Sequence, residues 1–254
     1  MDLSRFQLFD CHFHIIDRRF PLVPSQGYLP PEFTCDDYLK AVEALRVVGG
    51  AVVSGSFQAF DYSYLLDALR RLGSGFVGVV NLRVTASDEE ILMLHQRGVR
   101  AVRFNLYRGG PEALEHLESL ARRVYELVGW HVELYVDSRE LEALFPLVAS
   151  LPAVSIDHLG LSREGFPFLL RLVERGVRVK ATGFGRVDLD VPWALRTIQR
   201  VNPGALMFGT DLPSTRAPRP FSMGDAELVV ETLGEEEARR VFYGNAVEFY
   251  APPC

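Results

Sequence analysis

Short apolar, β-branched runs alternate along this chain with longer stretches whose apolar positions recur every three to four residues, and the alternation continues into the C-terminal region. The short runs predict eight strands, at 6–15, 51–57, 76–82, 99–106, 131–136, 153–159, 177–184 and 205–211. Between them, CDDYLKAVEALRVVG (35–49), SDEEILMLHQRG (87–98), PEALEHLESLARRVYELVG (111–129) and EGFPFLLRLVERG (164–176) read as helices. Several of these open on Asp, Glu, Ser or Pro and close on Gly, which satisfies the unpaired amides and carbonyls at helix ends.

Eight strand–helix units in about 250 residues match an α/β fold of the (β/α)8 TIM-barrel type in a single domain. A doubly wound open sheet is the alternative, but no G-x-G-x-x-G follows the first strand. Two Pro-rich stretches, PLVPSQGYLPPEF (21–33) after the first strand and LPSTRAPRPFSMGD (212–225) after the eighth, depart from a minimal barrel. Both would sit at the C-terminal face, where barrels build their sites.

Composition narrows the partners. The 254 residues are 48% hydrophobic and 24% charged, with a net charge of −6 and no run of Lys or Arg, which argues against nucleic-acid and membrane surfaces and for a small solute. Three cysteines, Cys11, Cys35 and Cys254, without a C-x-x-C, read as reduced thiols. With no stretch approaching the roughly 20 apolar residues of a membrane span, a cytoplasmic protein is expected. The terminal FYGNAVEFYAPP either mediates a homodimer or docks the last helix.

Candidate chemistry begins at FDCHFHIID (9–17). Strand alternation would place Asp10, His12 and His14 on one face and Cys11, Phe13 and Ile15 on the other. Buried, such a polar face needs partners. The C-terminal ends of the other strands offer Arg103 and Asn105, Glu133 and Tyr135, Asp157 and His158, Lys180 with Arg186 beyond it, and Asp211. Alternation turns Asp157 away from His158. Arg103 either clamps an anion or pairs internally with Asp10 or Glu133. Arg186 and Arg108 are either at the mouth or solvated, and Lys180, Asn105 and Tyr135 are lining residues. His95, His116 and His131 read as structural.

His-x-His on strand one, a histidine ending strand six and G-T-D ending strand eight carry a resemblance. With GVRAVRFNLYR, GWHVELY, VSIDHLG, KATGFGR, MFGTDLP and YGNAVEFY, the chain resembles the amidohydrolase superfamily, within it the amidohydrolase-2 group of lactonases and non-oxidative decarboxylases. The resemblance is nearest to lactonases of that group that work without a metal and share the strand-five tyrosine. It implies that Asp211 activates water, that His12, His14 and His158 line and polarise the site, and that Arg103 and Arg186 bind a small anionic substrate, with Tyr135, Arg108 and Asn105 beside them. The function implied is opening of a carboxylate-bearing lactone with no required cofactor. The alternatives are a decarboxylase using one divalent ion, Zn or Mn, with His12, His14 and Asp211 as ligands, and a non-catalytic barrel binding an acidic metabolite. Departures from the lactonase pattern at Arg108–Gly109 and at Ser214 bear on the substrate more than on the reaction.

Overall fold

Each apolar run folds as a strand, and in the computed structural model, which describes residues 1–251, the eight strands lie parallel in one sheet in chain order. They are β1 (Gln7–Phe13), β2 (Arg46–Val53), β3 (Phe76–Val80), β4 (Val99–Asn105), β5 (His131–Tyr135), β6 (Val154–Ile156), β7 (Arg178–Ala181) and β8 (Leu206–Phe208). The helices that follow them are α1 (Cys35–Ala41), α2 (Ser63–Leu72), α3 (Asp88–Gln96), α4 (Leu117–Val128), α5 (Leu141–Ser150), α6 (Phe166–Val173), α7 (Val191–Val201) and α8 (Met223–Leu233). Short helices α9 (Glu235–Arg239) and α10 (Asn245–Tyr250) end the described chain. This is a single-domain (β/α)8 barrel.

Capping explains where several helices start. Thr34 and Asp37 form a reciprocal capping box on α1, and Ser87 and Asp190 accept from the Glu90 and Trp193 amides at the starts of α3 and α7. The stretch expected to be helical through residue 49 instead leaves the helix at Ala41 and enters β2 at Arg46. Val47 and Val48 favour a strand there. Gly50 then lets β2 approach β1 closely, since a Cβ on it would lie 2.7 Å from the Asp10 carbonyl.

The seam between β1 and β8 is closed partly by a side chain. Asp211 N donates to His12 O at 2.7 Å and His14 N to Leu212 O at 2.8 Å. Below them the Asp10 carboxylate accepts from Thr210 N at 2.8 Å, Thr210 Oγ1 at 2.7 Å and Tyr38 Oη of α1 at 3.0 Å. Asp10 therefore does not share the histidine face. The register against β2 runs Asp10 to Gly50 and Phe13 to Val52, one extra residue on β1, and this bulge turns Cys11 inward as well as His12.

The lumen is filled in layers. Phe9, Cys11, Val53, Val79 and Met207 form its apolar base, closed from below by Ala246 and Tyr250 of α10. Phe249 packs against His131 with ring centroids 4.1 Å apart and planes tilted by 41°, so these apolar residues of the terminal segment dock within the chain. Pro252, Pro253 and Cys254 lie outside the described residues, while Cys11 and Cys35 are free and buried. Among the described residues no helix is long and apolar enough to cross a membrane.

Candidate active site

Above the apolar base, two cations and two anions are buried, Lys180, Glu133 and Asp157 completely and Arg103 with one edge on the cavity above. Alternation along β5 turns His131, Glu133 and Tyr135 inward, and Lys180 of β7 reaches Glu133 Oε2 at 2.5 Å. Lys180 also lies 3.6 Å from Asp157 Oδ1 and 3.2 Å from His12 Nδ1. Arg103 Nη2 donates to Asp157 Oδ2 at 3.0 Å and Nη1 to the Ser54 carbonyl at 2.8 Å. His131, at 3.2 Å, and the Tyr250 hydroxyl contact Glu133 Oε1. Burial opposes both carboxylates. Lys180 and His131 nevertheless hold the Glu133 carboxyl down at about 2, and His12, Lys180 and Arg103 hold Asp157 well below the usual range. Burial likewise opposes the Lys180 ammonium, but Glu133 and Asp157 outweigh it and raise its pKa.

This layer changes three expectations. Lys180 does not line the mouth; it is sealed beneath it. The internal partner of Arg103 is Asp157, not Asp10 or Glu133. Asp157 faces inward with His158, because β6 ends at Ile156 and the chain turns through left-handed conformations at His158 and Leu159, both at φ 51°. Such backbone costs of order 1–3 kcal/mol per residue and persists where surrounding structure holds it. Gly183 helps hold it: a Cβ there would lie 2.7 Å from His158 Nδ1.

A second polar layer sits on this floor. Asp211, at φ 60°, accepts from Arg186 Nε through Oδ2 at 2.6 Å. Its Oδ1 has no hydrogen-bond partner and lies 3.9 Å from both His12 Nε2 and His158 Nε2. Burial, with the arginine charges adding to it, pushes the pKa of His14 and His158 well below the usual histidine value, so both rings are neutral at pH 7. His14 Nδ1 lies 2.7 Å from the Val53 carbonyl, which can only accept; the ring proton is therefore on Nδ1 and the Nε2 lone pair is free. His12 Nδ1 lies 3.2 Å from the donor-only Lys180 ammonium and 3.5 Å from Asp157 Oδ1; the nearer ammonium favours a proton on Nε2, toward Asp211.

A cleft opens above this layer, lined by His14, His158, Asp211, Tyr135 and Asn105 together with four arginines, Arg103, Arg108, Arg186 and Arg216. Asn105 turns the β4 loop, accepting from Arg108 N at 2.9 Å and donating to Ser56 Oγ at 2.8 Å. Ser25, Tyr28 and Arg216, none of them anticipated, come from the two Pro-rich loops. The loops were legible as insertions at the C-terminal face, but loop conformation has no period from which to read an inward side chain.

Two donor sets could be weighed for a metal. His12, His158 and Asp211 have ligand atoms within 4.8 Å of one another, and two of those atoms, His12 Nε2 and Asp211 Oδ1, lack partners, so this set fits one divalent ion once the His12 proton moves to Nδ1. His14, expected as a ligand, is not in the set. The second set, His12, Glu133 and Asp157, surrounds the Lys180 ammonium and does not fit.

The amidohydrolase family model matches residues 9–251. The chain belongs to the amidohydrolase family. Among its relatives is the 2-pyrone-4,6-dicarboxylate hydrolase of Comamonas testosteroni, 27% identical over 96% of this chain and 90% of that protein. The 4-sulfomuconolactone hydrolase of Rhizobium radiobacter is also 27% identical, over 85% and 79%. A solved structure from Pseudomonas putida, provisionally named a 2-pyrone-4,6-dicarboxylic acid hydrolase, superposes with a TM-score of 0.80 at 26% identity, covering 99% of this chain and 98% of its own. In this amidohydrolase His14, Arg103, Tyr135, His158, Arg186 and Asp211, from six of the segments that carry the family resemblance, line one cavity.

Proposed function

We propose that this amidohydrolase opens a lactone ring that carries carboxylate or similar anionic groups. The observation that carries the reading is Asp211: one oxygen is fixed by Arg186 and the other is free, between two imidazole nitrogens, at the floor of an arginine-rich cavity. The lactone hydrolases among its relatives support the same chemistry. Asp211 Oδ1 takes a proton from water as the water oxygen attacks the ring carbonyl. The His12 Nε2–H and the Arg186 guanidinium supply positive character for the developing oxyanion. The acyl–oxygen bond then breaks, and the proton held by Asp211 passes to the leaving ring oxygen.

Proton release measured with a panel of carboxylated lactones tests the reading. Turnover that disappears in Asp211→Asn is expected; no proton release with any member of the panel sinks it.

The His12, His158 and Asp211 set favours a second reading, in which one divalent ion, Zn or Mn, is held there. Such an ion lowers the pKa of bound water toward about 7. Stoichiometric metal by elemental analysis of untagged protein, with activity lost to chelators, is its expected signature. Metal-free protein with full activity supports the cofactor-free reading. Free, buried Cys11 and Cys35 suit a cytoplasmic setting.

A further inference from the structure

The loop after β1 forms a tight hairpin across the mouth. Ser25 and Tyr28 exchange backbone hydrogen bonds at 2.9 and 3.0 Å around Gln26 and Gly27, at φ 51° and 75°. Three other βα loops pin it. Val23 N donates to Phe57 O at 2.8 Å, Gln26 Nε2 to Arg108 O at 2.7 Å, and Arg216 Nη2 to Ser25 O. The Arg216 guanidinium also lies over the Tyr28 ring, 4.4 Å from its centroid, and Arg216 itself is held at φ 59°.

Charge divides the four cavity arginines into two pairs. Arg103 and Arg186, the deep pair, are neutralised by Asp157 and Asp211. Among the described residues neither Arg108 nor Arg216 pairs with a carboxylate; their guanidiniums lie over Tyr107 and Tyr28. The uncompensated positive charge is therefore at the rim. Arg216 spends one donor on a neutral carbonyl and keeps others for the cavity, where an anion would make a charge-assisted bond about twice as strong.

We propose that Arg216 determines specificity by binding a second, outer anionic group of the substrate while its bond to Ser25 keeps the 25–28 hairpin closed over that group. This rests on the lactone-hydrolase reading only for the identity of the reacting ring. The test uses binding, which needs no turnover: calorimetry of wild type, Arg216→Gln and Arg216→Ala with isophthalate and with benzoate, alongside hydrogen exchange of residues 22–28.

Wild type is expected to prefer isophthalate. Arg216→Gln should lose about 10–100-fold in isophthalate affinity and under about 2-fold for benzoate, while keeping hairpin protection through its amide donor. Arg216→Ala should lose both the preference and the protection. Equal losses for the two ligands, no loss, or a wild type that binds neither would overturn the proposal. Failure of the lactone reading looks different, with no turnover of any lactone and the dianion preference intact.

Discussion

Replacing Lys180 with methionine keeps most of the side-chain volume and removes one of the two cations from the enclosed layer, leaving Glu133 and Asp157 to share Arg103. Of the two carboxylates Arg103 reaches only Asp157, so most of the uncompensated desolvation cost falls on Glu133. Its carboxyl, held at about 2 against an ordinary 4.5, corresponds to about 3 kcal/mol of favourable surroundings, for which Lys180 is the main source. Breaking a buried pair from one side typically costs about 3–5 kcal/mol, in line with that figure. Guanidinium unfolding at pH 7 should therefore show Lys180→Met less stable by about 3 kcal/mol. Lys180→Met combined with Glu133→Gln should regain much of this, because the amide no longer needs a counter-charge. A single-mutant loss under about 1 kcal/mol, or a double mutant as unstable as the single, would refute the claim that the pair is held by mutual charge.

Asp211→Asn should lower kcat on the best lactone by about 10²–10⁴-fold, the usual worth of a positioned base, with circular dichroism unchanged; activity within a few-fold of wild type would remove Asp211 from the reaction. Stability should fall with acid. His14 and His158 stay unprotonated in the fold while the unfolded chain protonates them below about 6.5, and each such difference costs about 1.4 kcal/mol per pH unit. Asp10, pushed up to about 6 by burial against its hydrogen bonds, acts in the opposite sense between about 6 and 3.8 and offsets one of the two. With His12 and His131 also held below the usual histidine value, the net expectation is a loss of more than about 1.4 kcal/mol per unit from pH 6 to 5, steepening below 4.5 as Glu133 and Asp157 lose their charge advantage. Denaturant midpoints that hold steady or rise over pH 6.5 to 5 would contradict this balance.

How far the site was legible depended on how regular the backbone is at each residue. Along β4 and β5 the period of two runs unbroken, so Arg103 with Asn105, and Glu133 with Tyr135, share inward faces as alternation requires. At β1 one extra residue breaks the period, and Asp10 goes to the seam while Cys11 enters the lumen. At the end of β6 a left-handed turn brings Asp157 and His158 to the same side. Both departures depend on contacts from distant parts of the chain, Thr210 and Tyr38 for Asp10 and Thr182 and Gly183 for His158.

The sequence by itself determined the barrel, the strand order and the candidate polar groups near the strand ends, because hydrophobic period and chain order are local properties. Only the tertiary structure decided partners. Arg103 could have met any of several carboxylates and was assigned Asp157; Lys180 was assigned Glu133 and sealed away from the cavity; Arg216 was lifted from a loop to the rim. Electrostatic pairing depends on distances of a few ångströms between strands far apart in sequence, and the charge left uncompensated after pairing appears only once every pair has been made.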